Sequence, residues 1–155
     1  MDKNKFIKIA AKEAFRGIRK NEGGPFGAVI VKDSKIISKA HNLVLKTNDP
    51  TAHAEVNAIR KASKKLGRFD LNDCEIYASC EPCPMCLSAI YWARIKKVYY
   101  GCSEKDAEKL GFDDRKINDI FNGNKNEAIN MEQIKREECL KPFDEFMNKK
   151  DKIIY

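Results

Sequence analysis

Between Phe26 and Cys102 the chain alternates short apolar runs with helix-length stretches, and that alternation limits the folds open to it. Phe26 to Val31 reads as a strand, Asp33-Ser34 as a turn and Ile36 to Asn42 as a second strand, which makes a hairpin. Cys74 to Ser79 and Val98 to Cys102 read as two more strands. Each follows a helical stretch: about Ala52 to Leu66, ended by Gly67, and about Pro84 to Arg94, with Pro82 and Pro84 where a missing N–H costs nothing. Strand–helix–strand units pair their strands in parallel through right-handed crossovers. The expected fold is therefore α/β, a three-layer α-β-α sandwich around a central mixed sheet. Ahead of the hairpin, Phe6, Ile7, Ala10, Ala14 and Ile18 recur at helical spacing, and Gly23-Gly24-Pro25 stops that helix.

Lys46 to Pro50 reads as a loop, with Asp49 or Thr51 available to cap the helix that follows. Beyond Gly101 the signals weaken. Residues 104–110 and 114–121 are expected as short helices, Asn122-Gly123-Asn124 as a turn, Ile129 to Ile134 as a strand and Glu137 to Lys149 as a helix containing one proline. With 155 residues and neither repeats nor a linker, the expectation is one domain over 1–155. No apolar run is long enough to span a bilayer, and Met1 to Lys5 leads into a helix pattern without a signal-peptide core. A cytosolic setting is expected, with the six cysteines as thiols or metal ligands. The net charge of +7 is spread along the chain, so no nucleic-acid groove is expected from it.

Cys83-Pro84-Met85-Cys86 places two soft ligands three residues apart at a helix start, on one face. The helix N-terminus favours thiolates there. His53 lies at the start of the preceding helix, and in an open α/β sheet such helix starts converge at the carboxyl edge. One His and two Cys make a three-ligand tetrahedral set for Zn2+, with the fourth corner left for water of pKa about 7. Cys80-Glu81-Pro82-Cys83 overlaps as a second C-x-x-C, so a closed Cys₃His structural site including Cys80 is the competing reading, as is a redox pair. Cys80 is expected at the end of the third strand as a packed thiol, with Cys74, Cys102 and Cys139 as core thiols.

His53-Ala54-Glu55 followed by Pro82-Cys83-Pro84-Met85-Cys86 matches the H-x-E…P-C-x-x-C signature of zinc deaminases, in which the Glu moves protons and is not a ligand. Periodicity does not give that role to Glu55, because two residues along a helix are about 200° apart. From Phe26 to Cys102 the chain resembles the cytidine deaminase-like superfamily, and over nearly its whole length it is similar to the small bacterial guanine deaminases. The resembling segments are residues 23–33, 48–56, 80–86, 89–94 and 111–114.

The resemblance implies hydrolytic deamination of a purine base by one zinc per chain, held by His53, Cys83 and Cys86, with Glu55 as acid/base. Asp114 would accept from the N–H groups of guanine, Asn42 would bind its other edge, and Phe26 and Trp92 would sandwich the ring, with Ala54 beside it. Outside these roles Phe26 and Trp92 are core residues, Asn42 a turn residue and Asp114 a cap. The resemblance also implies a homodimer with exchanged C-terminal segments (residues 137–155), so that Tyr155 closes the partner's pocket. Simple docking of Ile153 and Ile154 on the domain's own surface is the alternative. A transfer-RNA adenosine deaminase, a guanosine or cytosine deaminase of the same fold and a non-catalytic zinc module are the competing functions.

Overall fold

The structure, a computed structural model, describes residues 3–112, 114–122, 129 and 132–154. In chain order its elements are α1 (Lys3–Arg19), β1 (Gly27–Lys32), β2 (Lys35–His41), α2 (Val44–Thr47), α3 (Ala54–Leu66), β3 (Glu75–Cys80), α4 (Pro84–Trp92), β4 (Lys97–Cys102), α5 (Glu104–Glu108), α6 (Arg115–Phe121) and α7 (Arg136–Asn148). The sheet runs β2-β1-β3-β4. β1 is antiparallel to both β2 and β3, while β3 and β4 are parallel. The crossover through α4 thus joins adjacent strands, as expected. The one through α3 passes over β1, which lies between β2 and β3, and the sheet is mixed.

β1 shows why a continuous apolar run forms a central strand. Its alternate side chains leave on opposite faces, and both faces are covered. Val29 and Val31 meet Phe6 and Ala10 of α1 together with Tyr77 of β3. Ala28 and Ile30 meet the opposite layer, built from Ala54, Ala58 and Ala62 of α3 and Ile90 of α4. The alanines recur every fourth residue, which keeps one narrow face of α3 close to the sheet. Across α1 the buried positions are Phe6, Ala10, Glu13, Ala14 and Gly17, while Ile18 is exposed.

The antiparallel pairing sends the start of β1 and the ends of β2 and β3 to one sheet edge, with Gly27 opposite His41. Phe26 and Asn42 leave that edge side by side, the Asn42 N–H donating to the Phe26 carbonyl at 3.0 Å.

Several local expectations are corrected. The stretch expected as a loop includes the short α2, and the N-cap of α3 is His53. Asp49 instead accepts from the Thr51 N–H (2.8 Å) and hydroxyl (2.6 Å), a local turn that does not cap the helix. Cys74 is buried as expected, but Cys102 and Cys139 are exposed. Residues 129 and 132–134 carry no strand; the rest of that expected strand, and most of the turn at 122–124, lie outside the described residues.

The candidate metal and substrate site

Both halves of the ligand motif sit at helix N-termini on the same sheet edge. His53 is the N-cap of α3, with φ −68° and ψ 158°, and Cys83 is the N-cap of α4, with φ −62° and ψ 165° and Pro84 at the first helical position. Because His53 stands outside the helix in extended backbone, the 200° separation expected of two helical residues does not apply to His53 and Glu55. Their side chains converge. His53 Nδ1 lies 3.6 Å from Cys83 Sγ and 3.5 Å from Cys86 Sγ, and Cys86 Sγ lies 3.5 Å from Glu55 Oε2.

These distances fit a metal. A tetrahedral zinc with bonds of about 2.3 Å to sulfur and 2.0–2.1 Å to nitrogen holds S and N roughly 3.5–3.6 Å apart. Among the described residues, His53, Cys83 and Cys86 are the cluster whose ligand atoms gather closely enough for an ion, all within 4.8 Å of one another. The donors are right for zinc: one imidazole nitrogen and two thiols, with neither Cys80 nor Glu55 in the group. Cys80 lies at the end of β3, buried, its thiol directed to the Ser103 carbonyl at 3.5 Å.

The Cys86 thiol donates to Cys83, and with His53 beside it this pulls the Cys83 thiol down to about 4, while Cys86, left with the proton, is pushed up. The Cys83 sulfur in turn raises His53. Burial pushes the Cys80 thiol up to about 11. Burial also raises the Glu55 carboxyl, the direction that suits a group able to hold a proton near neutral pH.

Above this cluster lies a cavity of about 590 Å³. His53, Glu55, Cys80 and Cys83 line its floor, and Gly23, Gly24, Phe26, Asn42, Val44 and Leu45 line one wall. The α5–α6 region completes the lining through Glu104, Ala107, Phe112, Asp114 and Ile117. Of the residues expected at a substrate site, Asn42, Phe26 and Asp114 are therefore brought together. Trp92 and Ala54 are not among the lining residues. Trp92 is 56% exposed at the end of α4, its ring against Tyr91, and Ala54 is buried in the core layer. The aromatic that faces Phe26 is Phe112, edge-on with centroids 5.0 Å apart. Sequence reasoning passed over Phe112, although it sits inside the Gly-Phe-Asp-Asp segment at 111–114. Asp114 is the N-cap of α6 but makes no side-chain cap to that helix. Tyr155 lies outside the described residues.

Residues 1–102 match the cytidine and deoxycytidylate deaminase zinc-binding region. With this match and the three-ligand cluster, the chain belongs to the zinc-dependent deaminases of that family. More particularly, it is 50% identical to guanine deaminase of Bacillus subtilis (strain 168), over 97% of this chain and 99% of the relative. The solved structure of guanine deaminase from Bacillus subtilis superposes with a TM-score of 0.94 at 49% identity, covering 100% of this chain and 99% of that one. A tRNA-specific adenosine deaminase of Aquifex aeolicus (strain VF5) is 48% identical, over 68% of this chain and 69% of its own length. Among the described residues no helix is long and apolar enough to cross a membrane.

Proposed function

We propose that this enzyme hydrolyses guanine to xanthine and ammonia, with His53, Cys83 and Cys86 holding the zinc. The observation that carries the reading is the single cavity lined by His53, Cys83 and Glu55 together with Asn42 and Asp114. Zinc held at this cluster would supply a water activated for attack at neutral pH. Glu55 would carry one proton from the attacking water to the ring nitrogen beside the reacting carbon, and a second, from the hydroxyl that the water leaves on that carbon, to the departing amine as the carbonyl forms and the C–N bond breaks. Asp114 accepts from the N–H groups along the base's Watson–Crick edge, and Asn42 holds the other edge. Phe26, with Phe112 edge-on against it, offers an aromatic surface on which the flat ring can pack. The likeness to the Bacillus guanine deaminase, at 50% identity over 97% of this chain and a TM-score of 0.94, supports the purine base over a transfer-RNA substrate.

The same reading includes a homodimer. The α7 helix buries none of its residues, and Phe143, Phe146 and Met147 are exposed along it, followed by exposed Ile153 and Ile154. A second copy covering that face, with the 137–155 segment exchanged and Tyr155 closing the partner's pocket, accounts for a row of apolar side chains otherwise left in water. The six cysteines, free and partly serving as ligands, suit the cytosol. The deciding experiment is ammonia release from guanine, guanosine, cytosine, cytidine, adenine and transfer RNA. Release from guanine alone is expected; release from transfer RNA and not from guanine would overturn the assignment.

A further inference from the structure

Ionisable side chains inside a packed layer are costly unless something requires them. Three gather beside the cavity without contributing to its chemistry. Glu13 on α1 and His41 at the end of β2 are buried, at 6% and 9% exposure, and Glu22 lies in the turn that follows α1. The two ring nitrogens of His41 face two carboxylates: Nδ1 stands 3.3 Å from Glu13 Oε2 and Nε2 2.5 Å from Glu22 Oε2. Arg16 and Lys39 flank Glu13 Oε1 at 3.7 and 3.5 Å, and Lys46 Nζ donates to Glu22 Oε1 at 2.6 Å. Lys46, and after it His41, hold the Glu22 carboxyl down to about 2. Gly17 makes room for the ring, since a Cβ there would stand 2.9 Å from His41 Cδ2.

Neither Glu13 nor His41 lines the cavity, but Glu22 opens the segment that does. The Glu22 N–H donates to the Gly17 carbonyl at 3.1 Å, and the Glu22 carbonyl accepts from the Lys46 N–H at 3.0 Å. The next residues, Gly23 and Gly24, form the cavity wall with Asn42 and Val44. The Gly24 and Val44 N–H groups both donate to Asn42 Oδ1, at 3.3 and 3.0 Å. A side chain on Gly23 would collide with that same oxygen. With its oxygen engaged by two backbone donors, Asn42 has its NH₂ to offer a ligand, so it presents donors and no acceptor.

We propose that Glu13, His41 and Glu22 form a latch that positions the Asn42 amide with its NH₂ toward the cavity, and thereby selects bases whose facing edge carries hydrogen-bond acceptors. His41 and Glu22 are positioning residues here, acting through the 22–24 turn and Asn42. The inference rests on the guanine reading of the cavity. Turning the amide over would forfeit both backbone hydrogen bonds and oppose N–H to N–H, so the latch need only keep the turn in place to fix the orientation.

The test is a mutant cycle with guanine, recording KM, kcat, zinc content and thermal stability together. His41→Gln and Glu22→Ala are each expected to raise KM about five- to tenfold, the discrimination of roughly one lost hydrogen bond, with kcat within about twofold and one zinc per chain. Glu22→Gln, which keeps an oxygen for His41, is expected to restore most of the KM and carries the test if His41→Gln does not fold. In an Asn42→Ala background, neither His41→Gln nor Glu22→Ala is expected to raise KM further. A KM unchanged in the single variants, or a full additional loss on top of Asn42→Ala, would overturn the latch while leaving the guanine reading standing. A wild-type protein that releases no ammonia from guanine would overturn both.

Discussion

Residues 3–102 and the described residues beyond them are built differently. In the first region both faces of the central strands β1 and β3 are covered: Val29, Val31 and Tyr77 lie under α1, and Ile30, Ile76 and Ala28 lie under α3 and α4, all essentially without exposure. In the second, α5 and α7 bury no residue, and Leu110, Phe121, Ile134 and Phe143 are each more than 60% exposed. The metal ligands and Glu55 belong wholly to the first region. Asp114 and Phe112, which complete the cavity, belong to the second. Local stability in proteins is uneven, and surfaces that select ligands are commonly drawn from its weaker parts. The contrast separates the metal centre, held wholly by the well-packed first region, from the cavity around it, whose lining the thinly packed second region completes.

That contrast can be broken by substitution. The largest effect belongs to the metal. Cys83→Ser should lose both zinc and turnover, whereas Cys80→Ser should keep one zinc per chain and measurable activity; zinc loss from the Cys80 variant would return that thiol to the ligand set. Next comes Glu55→Gln, expected to lower kcat by about 10²- to 10⁴-fold on every substrate the wild type accepts while metal content stays normal. Loss of the metal along with activity would make Glu55 a ligand.

Changes beyond Cys102 should be smaller and selective. Asp114→Ala removes one partner of a charged hydrogen bond and should reduce kcat/KM for guanine by roughly ten- to a hundredfold, with zinc retained. Unchanged kinetics would leave Asp114 a helix-start residue with no part in recognition. A chain ending at Lys150 should keep its zinc and melt as the full chain does, yet turn guanine over poorly. Full activity there would show that residues 151–155 only pack.

The smallest effect is on stability. Glu22, held at about 2 against its ordinary 4.5, favours the folded state above pH 4.5, and this contribution is lost as pH falls from 4.5 toward 2. Glu22→Gln should therefore melt less steeply with falling pH across that window. Identical curves for the two proteins would place the acid sensitivity elsewhere.

The two halves of the metal motif and the strands and helices around them were legible because each is a local pattern: two cysteines at helix spacing, an apolar run ended by a turn. What escaped was non-local. The approach of Glu55 to the ligands depends on His53 being a cap, and sequence spacing cannot distinguish a cap from a first helical residue within the usual boundary error. Trp92, set at the ring by the resemblance, stands exposed at the end of α4 in the single chain. Phe112 is brought to Phe26 by the chain's path after α5, which carries no periodic signal. The Glu13–His41–Glu22 cluster joins residues 28 and 19 positions apart and leaves only a glycine inside α1 as its trace in the sequence.

His53 and Cys83 stand just ahead of their helices, and this has a consequence for how such a centre can be altered. A ligand inside a helix is tied to the helix's phase, so one inserted residue rotates it by about 100° away from its partners. Ligands at the entrances are indifferent to what happens downstream. The turn at Gly67, which follows α3 and where nothing lies within 4 Å of an added Cβ, can gain residues while the strand ends keep both entrances in register. The centre thus behaves as two short cassettes mounted on a shared edge, with the length between them a free variable, and additions at the Gly67 turn should leave its metal untouched.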